Sequence, residues 1–233
     1  MTTSRAFPRL LAVSPGTHLR PRDLRPLIQR LGARGLPAIL LREPQLTDDE
    51  MKSLHATASD HIPLVIVHAK HPLAYSLSEN IHIASPFSRG GAPAGWAAFE
   101  RLADVRRNVK GVLGVSCHEP SEVAHAIEAG AEYATLSPVW ETKKGLSLVG
   151  VDRYVHSSAT TAEKDDRKPT SYFKSGCPPA CLALGGATPE RFGDLLAAGG
   201  HGIAFMGDLW SAGDDDAVEA KLTEFIQVAA AAI

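Results

Sequence analysis

The sequence is short of cysteine and of aromatic residues, carries no excess of either charge and has no long apolar run, and these shortages exclude several classes of protein. Three cysteines, Cys117, Cys177 and Cys181, stand in 233 residues. An odd, sparse set of this kind makes no disulfide framework of the sort that holds small secreted domains together. Cys177 and Cys181 are separated by two prolines among their three intervening residues, with no histidine cluster beside them, so a zinc site is not supported. Lys and Arg number 24 against 26 Asp and Glu, for a net charge of −2. A nucleic-acid or acidic-membrane binder would show a basic excess, and neither partner is expected. The longest apolar stretches, such as Pro63–Val67, are strand-sized and far below the roughly 20 residues of a membrane-spanning helix. Met1 to Phe7 lacks the apolar core of a secretory signal, so the expected location is the reducing cytoplasm.

What is present is a steady alternation of two kinds of segment. Short apolar runs suited to strands occur at Arg9–Ser14, Ala38–Glu43, Pro63–Val67, Asn80–Ala84, Val112–Ser116, Tyr133–Val139, Cys181–Gly185 and Gly202–Met206. Between them lie helical patterns. Leu24, Leu27, Ile28 and Leu31 share one stripe, and Thr47-Asp-Asp-Glu50 reads as a capping box. Others run over Pro72–Leu77, Trp96–Val109, Ser121–Ala129 and Pro189–Ala198, and a last stripe holds Val218, Leu222, Phe225, Ile226 and Ala229. Eight strands alternating with helices in about this length predict an α/β fold, a (β/α)8 barrel forming one domain over 1–233. A doubly wound open sheet is the runner-up, but its Gly-rich fingerprint would follow the first strand, whereas here the Gly pair follows the seventh. The polar, patternless stretch 152–179 is expected to be a flexible insertion.

In such a barrel the chemistry lies at the C-terminal strand ends. The candidates there are Arg42 and Glu43; His68 and Lys70; His82 and Ser85; Ser116, Cys117 and His118; Ser137, Glu141, Thr142, Lys143 and Lys144; Gly185 and Gly186; and Met206, Gly207 and Asp208. Gly185-Gly186 followed by Thr188-Pro189 offers exposed amides, an N-cap and a good first helical residue, which together suit an anion such as phosphate. The alternative is that two glycines merely permit a tight turn. Cys117 and His118 are neighbours on one strand and should face opposite ways, which argues against a catalytic Cys–His pair.

These strings also carry a resemblance. Gly114-Val-Ser-Cys-His118 is similar to a G-x-S-x-H segment, Ser121–Tyr133 to an E-A…A…G-A-D-Y pattern, and Ser137-Pro-Val-Trp-Glu-Thr142 to a G-P-V-F-x-T turn. Leu184–Pro189 and Gly202–Met206 resemble the last two strand ends of the same group. In this order they resemble the thiamine phosphate synthase/TenI family of (β/α)8 barrels in thiamine biosynthesis. The resemblance implies a small phosphorylated heterocycle of thiazole phosphate type as ligand, bound by Arg42, Ser116, Thr142, Lys144, Gly185, Gly186, Met206 and Gly207.

The departures from that pattern are informative. A synthase of the family carries Gln-x-Arg-x-Lys after strand two, and here only Arg42 remains of it, in Leu40-Leu-Arg-Glu-Pro44. The family's Asn-Asp after strand three is His68-Ala69, and its acidic position after strand four falls near Ser85-Pro86. Carboxylates there hold Mg²⁺ in the synthases, and the side chains found here do not, so no metal and no cofactor are expected. Trp140-Glu-Thr-Lys-Lys-Gly145 looks more like TenI-type thiazole tautomerases, which move a proton without a metal. The histidine assigned that task in the subfamily corresponds to Ser137, so His118 or Glu141 is expected to act instead. The leading expectation is therefore an isomerase of tautomerase type, with a homodimer compatible. A catalytically silent ligand binder is the second expectation, and a true synthase the third.

Overall fold

A computed structural model describes residues 7–16, 23–86, 96–141, 148–155 and 180–231. Eight parallel strands close into a barrel in chain order: β1 (Leu10–Val13), β2 (Ala38–Leu41), β3 (Leu64–His68), β4 (Ile81–Ile83), β5 (Leu113–Cys117), β6 (Tyr133–Leu136), β7 (Ala180–Ala183) and β8 (Gly202–Phe205). Closure is made by β1, which pairs with both β2 and β8. The helices of the outer ring are α1 (Arg25–Ala33), α2 (Asp48–His61), α3 (Ala74–Leu77), α4 (Trp96–Asn108), α5 (Pro120–Glu128), α6 (151–155), α7 (Pro189–Ala197), α8 (Gly207–Trp210) and α9 (Asp215–Ala231). The (β/α)8 expectation from the alternating pattern therefore holds.

Local chemistry accounts for many of the boundaries. Thr47 and Glu50 form the reciprocal capping box that opens α2. Thr188 caps α7, and Pro189 fills its first turn, where a missing N–H costs nothing. Strand β6 stops at Leu136 rather than Val139, since Pro138 has no N–H to continue the ladder. Helix α8 carried no sequence signal. It is tied to the barrel by Trp210, whose indole N–H donates to the Val13 carbonyl at 2.6 Å. The stretch 152–179 begins as helix, with buried Tyr154 donating its hydroxyl to the carbonyl of Cys181 at 2.6 Å. Its remainder, 156–179, lies outside the described residues.

Two apolar layers follow from the two faces of each strand. The inner layer holds Leu11, Val13, Ala38, Leu40, Ile66, Tyr133, Ala180, Leu182 and Ala204, with Phe7 stacked on the Tyr133 ring at 4.4 Å. The outer layer joins strands to helices and contains Cys117, Ala134, Leu136, Cys181 and Phe205. At the strand starts the buried Arg106 guanidinium meets Glu132 at 2.8 Å and also donates to the carbonyls of Val109 and Gly111. That pairing is structural and lies at the end of the barrel away from the candidate site. The inward phase set by Leu40, Ile66, Tyr133, Leu182 and Ala204 carries on past the strands. It brings Arg42, His68, His82, Ser116, His118, Ser137, Gly186 and Met206 toward the C-terminal mouth.

Candidate functional site

The β2–β5 side of the mouth is built around two imidazoles. His82 on β4 is almost wholly buried, with Nδ1 2.8 Å from the Tyr133 hydroxyl and Nε2 2.8 Å from Ser116 Oγ. His68 ends β3, 5.6 Å from His82 between ring centroids. Its Nδ1 accepts from the main-chain N–H of Lys70 at 3.1 Å. Burial, then Arg42 and Lys70, pushes His68 down to about 4. Burial, then His68 and Arg42, pushes His82 down to about 3. Both rings are therefore neutral at physiological pH. Because Nδ1 of His68 accepts, its proton is on Nε2.

Arg42 leaves β2 with its main-chain N–H on Ser14 Oγ at 2.7 Å. Glu43 beside it is buried and points elsewhere, accepting from Gly16 N at 2.8 Å and from Gln45. Around β3 and β4 the sequence holds no Asp or Glu between Asp60 and Glu79, or between Glu79 and Glu100. Glu79 precedes β4, where its carbonyl accepts from Gly111 N, at the opposite end of the barrel. Mg²⁺ requires hard oxygen ligands, and this part of the mouth supplies two neutral imidazoles and two cations. The metal that the resemblance implies for a synthase does not fit these residues. Among the described residues no group of three or more His, Cys, Asp or Glu is placed to hold a metal ion.

On the β5–β7 side, His118 and Ser137 come together. The His118 ring Nδ1 is 2.9 Å from the Ser137 main-chain carbonyl, and the His118 N–H donates to Glu122 at 2.6 Å. A carbonyl only accepts, so the proton is on Nδ1 and the lone pair on Nε2. Cys117 faces the outer layer, away from His118, and burial raises its thiol well above the usual range. A Cys–His pair is absent there.

Gly185 and Gly186 both take positive φ, at 101° and 76°, so the turn itself needs glycine. The Gly185 carbonyl accepts from the N–H groups of Trp140 and Glu141. A Cβ at Gly186 would lie 2.8 Å from Glu141 Cβ. Among the described residues no acceptor takes the amides of Gly185 and Gly186. Glu141 is exposed and bound to Arg191 at 2.6 Å, and the same Arg191 nitrogen donates to the Gly186 carbonyl at 2.7 Å. Glu141 is thus a fixed carboxylate on the rim, separate from the His118–Ser137 contact. Met206 precedes α8, and a side chain at Gly207 would meet nothing within 4 Å. Asp208 has its Oδ2 buried with no partner among the described residues, and burial raises its carboxyl. Thr142 and Lys144 lie outside the described residues.

Sequence reasoning overlooked Tyr133 and Arg191. The signal for Tyr133 was present: it is two and four residues before Thr135 and Ser137 on one strand face, opposite Gly114. A Cβ at Gly114 would fall 2.1 Å from the Tyr133 ring, so that glycine makes room for it. Arg191 carried no comparable signal.

The family model for thiamine monophosphate synthase matches residues 10–209. Thiamine-phosphate synthase of Erythrobacter litoralis is 27% identical over 174 residues, covering 71% of this chain and 73% of that protein. The Bacillus velezensis enzyme of the same name is 30% identical over 118 residues, and there the match spans about half of each chain, 50% of this one and 46% of that one. Among solved structures, thiamine phosphate pyrophosphorylase from Pyrococcus furiosus superposes with a TM-score of 0.69 at 16% identity, over 97% of this chain and 96% of that one. At that identity the likeness speaks for the fold alone.

Proposed function

The chain belongs to the thiamine monophosphate synthase family, and on that premise we propose that it binds a phosphorylated thiazole-type heterocycle at the mouth and acts on it without a divalent metal. The observation that carries this reading is the carboxylate-free β3–β4 mouth, where Arg42 and Lys70 flank two neutral imidazoles. Such a surface favours an anionic or acceptor-rich ligand and opposes a bound cation. The reaction is proton transfer within a thiazole carboxylate phosphate, with His118 Nε2 taking and returning the proton. The amides of Gly185 and Gly186 are the proposed phosphate donors.

The second reading is the synthase itself, and the names of the curated relatives favour it. One experiment separates the two. Purified protein is incubated with thiazole carboxylate phosphate, and proton exchange and isomerisation are followed by NMR. In parallel it receives the aminomethylpyrimidine diphosphate and thiazole phosphate, with and without Mg²⁺. Isomerisation without thiamine phosphate formation is expected. Sustained Mg²⁺-dependent formation of thiamine phosphate would overturn the proposal in favour of the synthase.

The anion pocket has its own test. Gly186→Asp and Gly186→Asn impose similar strain at φ 76°, yet only the first adds a negative charge. Calorimetry with thiazole phosphate should show Asp weakening binding at least about tenfold more than Asn, a difference of roughly 1.4 kcal/mol. Equal losses would assign the two glycines to the turn alone.

A further inference from the structure

Among the described residues, a set of polar contacts at the mouth links three strands. Tyr133 (β6), His82 (β4) and Ser116 (β5) form a line of two 2.8 Å contacts, running from the barrel interior to the strand ends. Tyr133 and His82 are buried, while Ser116 is partly exposed. Both partners of the imidazole are hydroxyls, each able to donate or accept, so the direction of the chain is decided by its inner end.

Tyr133 is in the apolar inner layer, stacked on Phe7, and burial raises its phenol well above the usual range, so it keeps its proton. Among the described residues the one hydrogen-bond partner of that hydroxyl is His82 Nδ1. If Nδ1 carried the imidazole proton, the phenol proton would be buried with no acceptor, an unfavourable arrangement. The phenol therefore donates to Nδ1. The neutral ring then holds its proton on Nε2 and donates it to Ser116 Oγ. A hydroxyl whose oxygen already accepts has its own proton left to give.

We infer that Tyr133 and His82 are positioning residues that fix Ser116 as a hydrogen-bond donor toward an acceptor atom of the ligand in the mouth. This rests on the ligand site proposed above, but the orientation of the chain is a property of the protein alone. Neighbouring groups agree with it. Gly114, two residues before Ser116, leaves the space that the Tyr133 ring fills. His68, whose proton is also on Nε2, adds a second neutral donor near the same ring.

The test has a ligand-free arm and a binding arm. With ¹⁵N-labelled protein, the His82 ring is expected to show a pyridine-like Nδ1 and a pyrrole-like Nε2. In Tyr133→Phe, which keeps the aromatic ring, the donor to Nδ1 is gone. An Nδ1–H would face the phenyl ring with no acceptor, so the proton should stay on Nε2, and the Nδ1 signal should move to that of a pyridine-like nitrogen without a hydrogen bond. A pyrrole-like Nδ1 in the wild type, or an Nδ1 signal that does not move in a folded Tyr133→Phe, would overturn the inference. In the binding arm, calorimetry with thiazole phosphate should show Tyr133→Phe and Ser116→Ala losing affinity to a similar extent, about tenfold. The double variant should lose little more than either single one. Additive losses would overturn the coupling between the phenol and the hydroxyl. If the wild type does not bind thiazole phosphate, the ligand proposal fails, and the tautomer measurement still decides the orientation.

Discussion

Replacing His118 by alanine should lower turnover of thiazole carboxylate phosphate about 10²–10⁴-fold, the usual contribution of a positioned acid–base group, while leaving affinity nearly unchanged. The expectation comes from one contact. The Ser137 carbonyl holds the His118 ring by Nδ1, which leaves the Nε2 lone pair as the proton acceptor. Because the carbonyl belongs to the main chain, Ser137→Ala should change turnover little, although Ser137 stands where the resemblance places a histidine. Glu141→Gln should also have a small effect on kcat, since that carboxylate is exposed and held by Arg191 on the rim. Steady-state rates and separate binding measurements on the three variants distinguish these outcomes. A large loss of kcat in Glu141→Gln with none in His118→Ala would reverse the assignment. No turnover in the wild type, with tight binding retained, would favour a silent binder.

The alternation of apolar runs and amphipathic stripes was enough to read the barrel, because strands buried on both faces leave a compact apolar signature that helices do not. The capping box at Thr47 and the Thr188-Pro189 start were legible for the same local reason. Helix α8 was not, since Gly207–Trp210 is one turn long and is stabilised by a bond to Val13 almost 200 residues away. No local pattern records such a contact.

The site was legible as a set of strand ends, and less so as an arrangement. Arg42, His68, His82, Ser116, His118 and Ser137 are all inward-phase positions, and alternation along each strand gives that phase. Which of them touch is set by the stagger between strands. Ser116 is in register with Thr135, and His82 with Gly114, so His82 reaches Ser116 across one strand boundary and Tyr133 across two. A phenol in a predicted strand reads as core, and here it is both core and hydrogen-bond donor.

The same two imidazoles predict acid sensitivity. An unfolded histidine titrates near 6.5, whereas burial holds His68 at about 4 and His82 at about 3 in the folded protein. Between those values the unfolded chain binds more protons, so stability falls as pH drops below about 6.5 and the loss levels off below the folded values. Shifts of this size correspond to losses on the order of 3 kcal/mol or more for each ring. His55 and His201, also lowered mainly by burial, act in the same direction. Glu132 and Asp208, raised mainly by burial, act oppositely, because the folded state then binds the proton more readily than the unfolded chain. A difference measurement removes these backgrounds. Urea unfolding of the wild type, His68→Gln and His82→Gln is followed from pH 7.5 to pH 4. Glutamine does not titrate, so each variant loses a fixed amount from altered packing and hydrogen bonding. The stability gap between wild type and His82→Gln should shrink, or change sign, as the pH falls, and His68→Gln should behave likewise with a smaller change. Parallel pH profiles for wild type and His82→Gln would mean that the buried ring is not held neutral against an unfolded state that protonates.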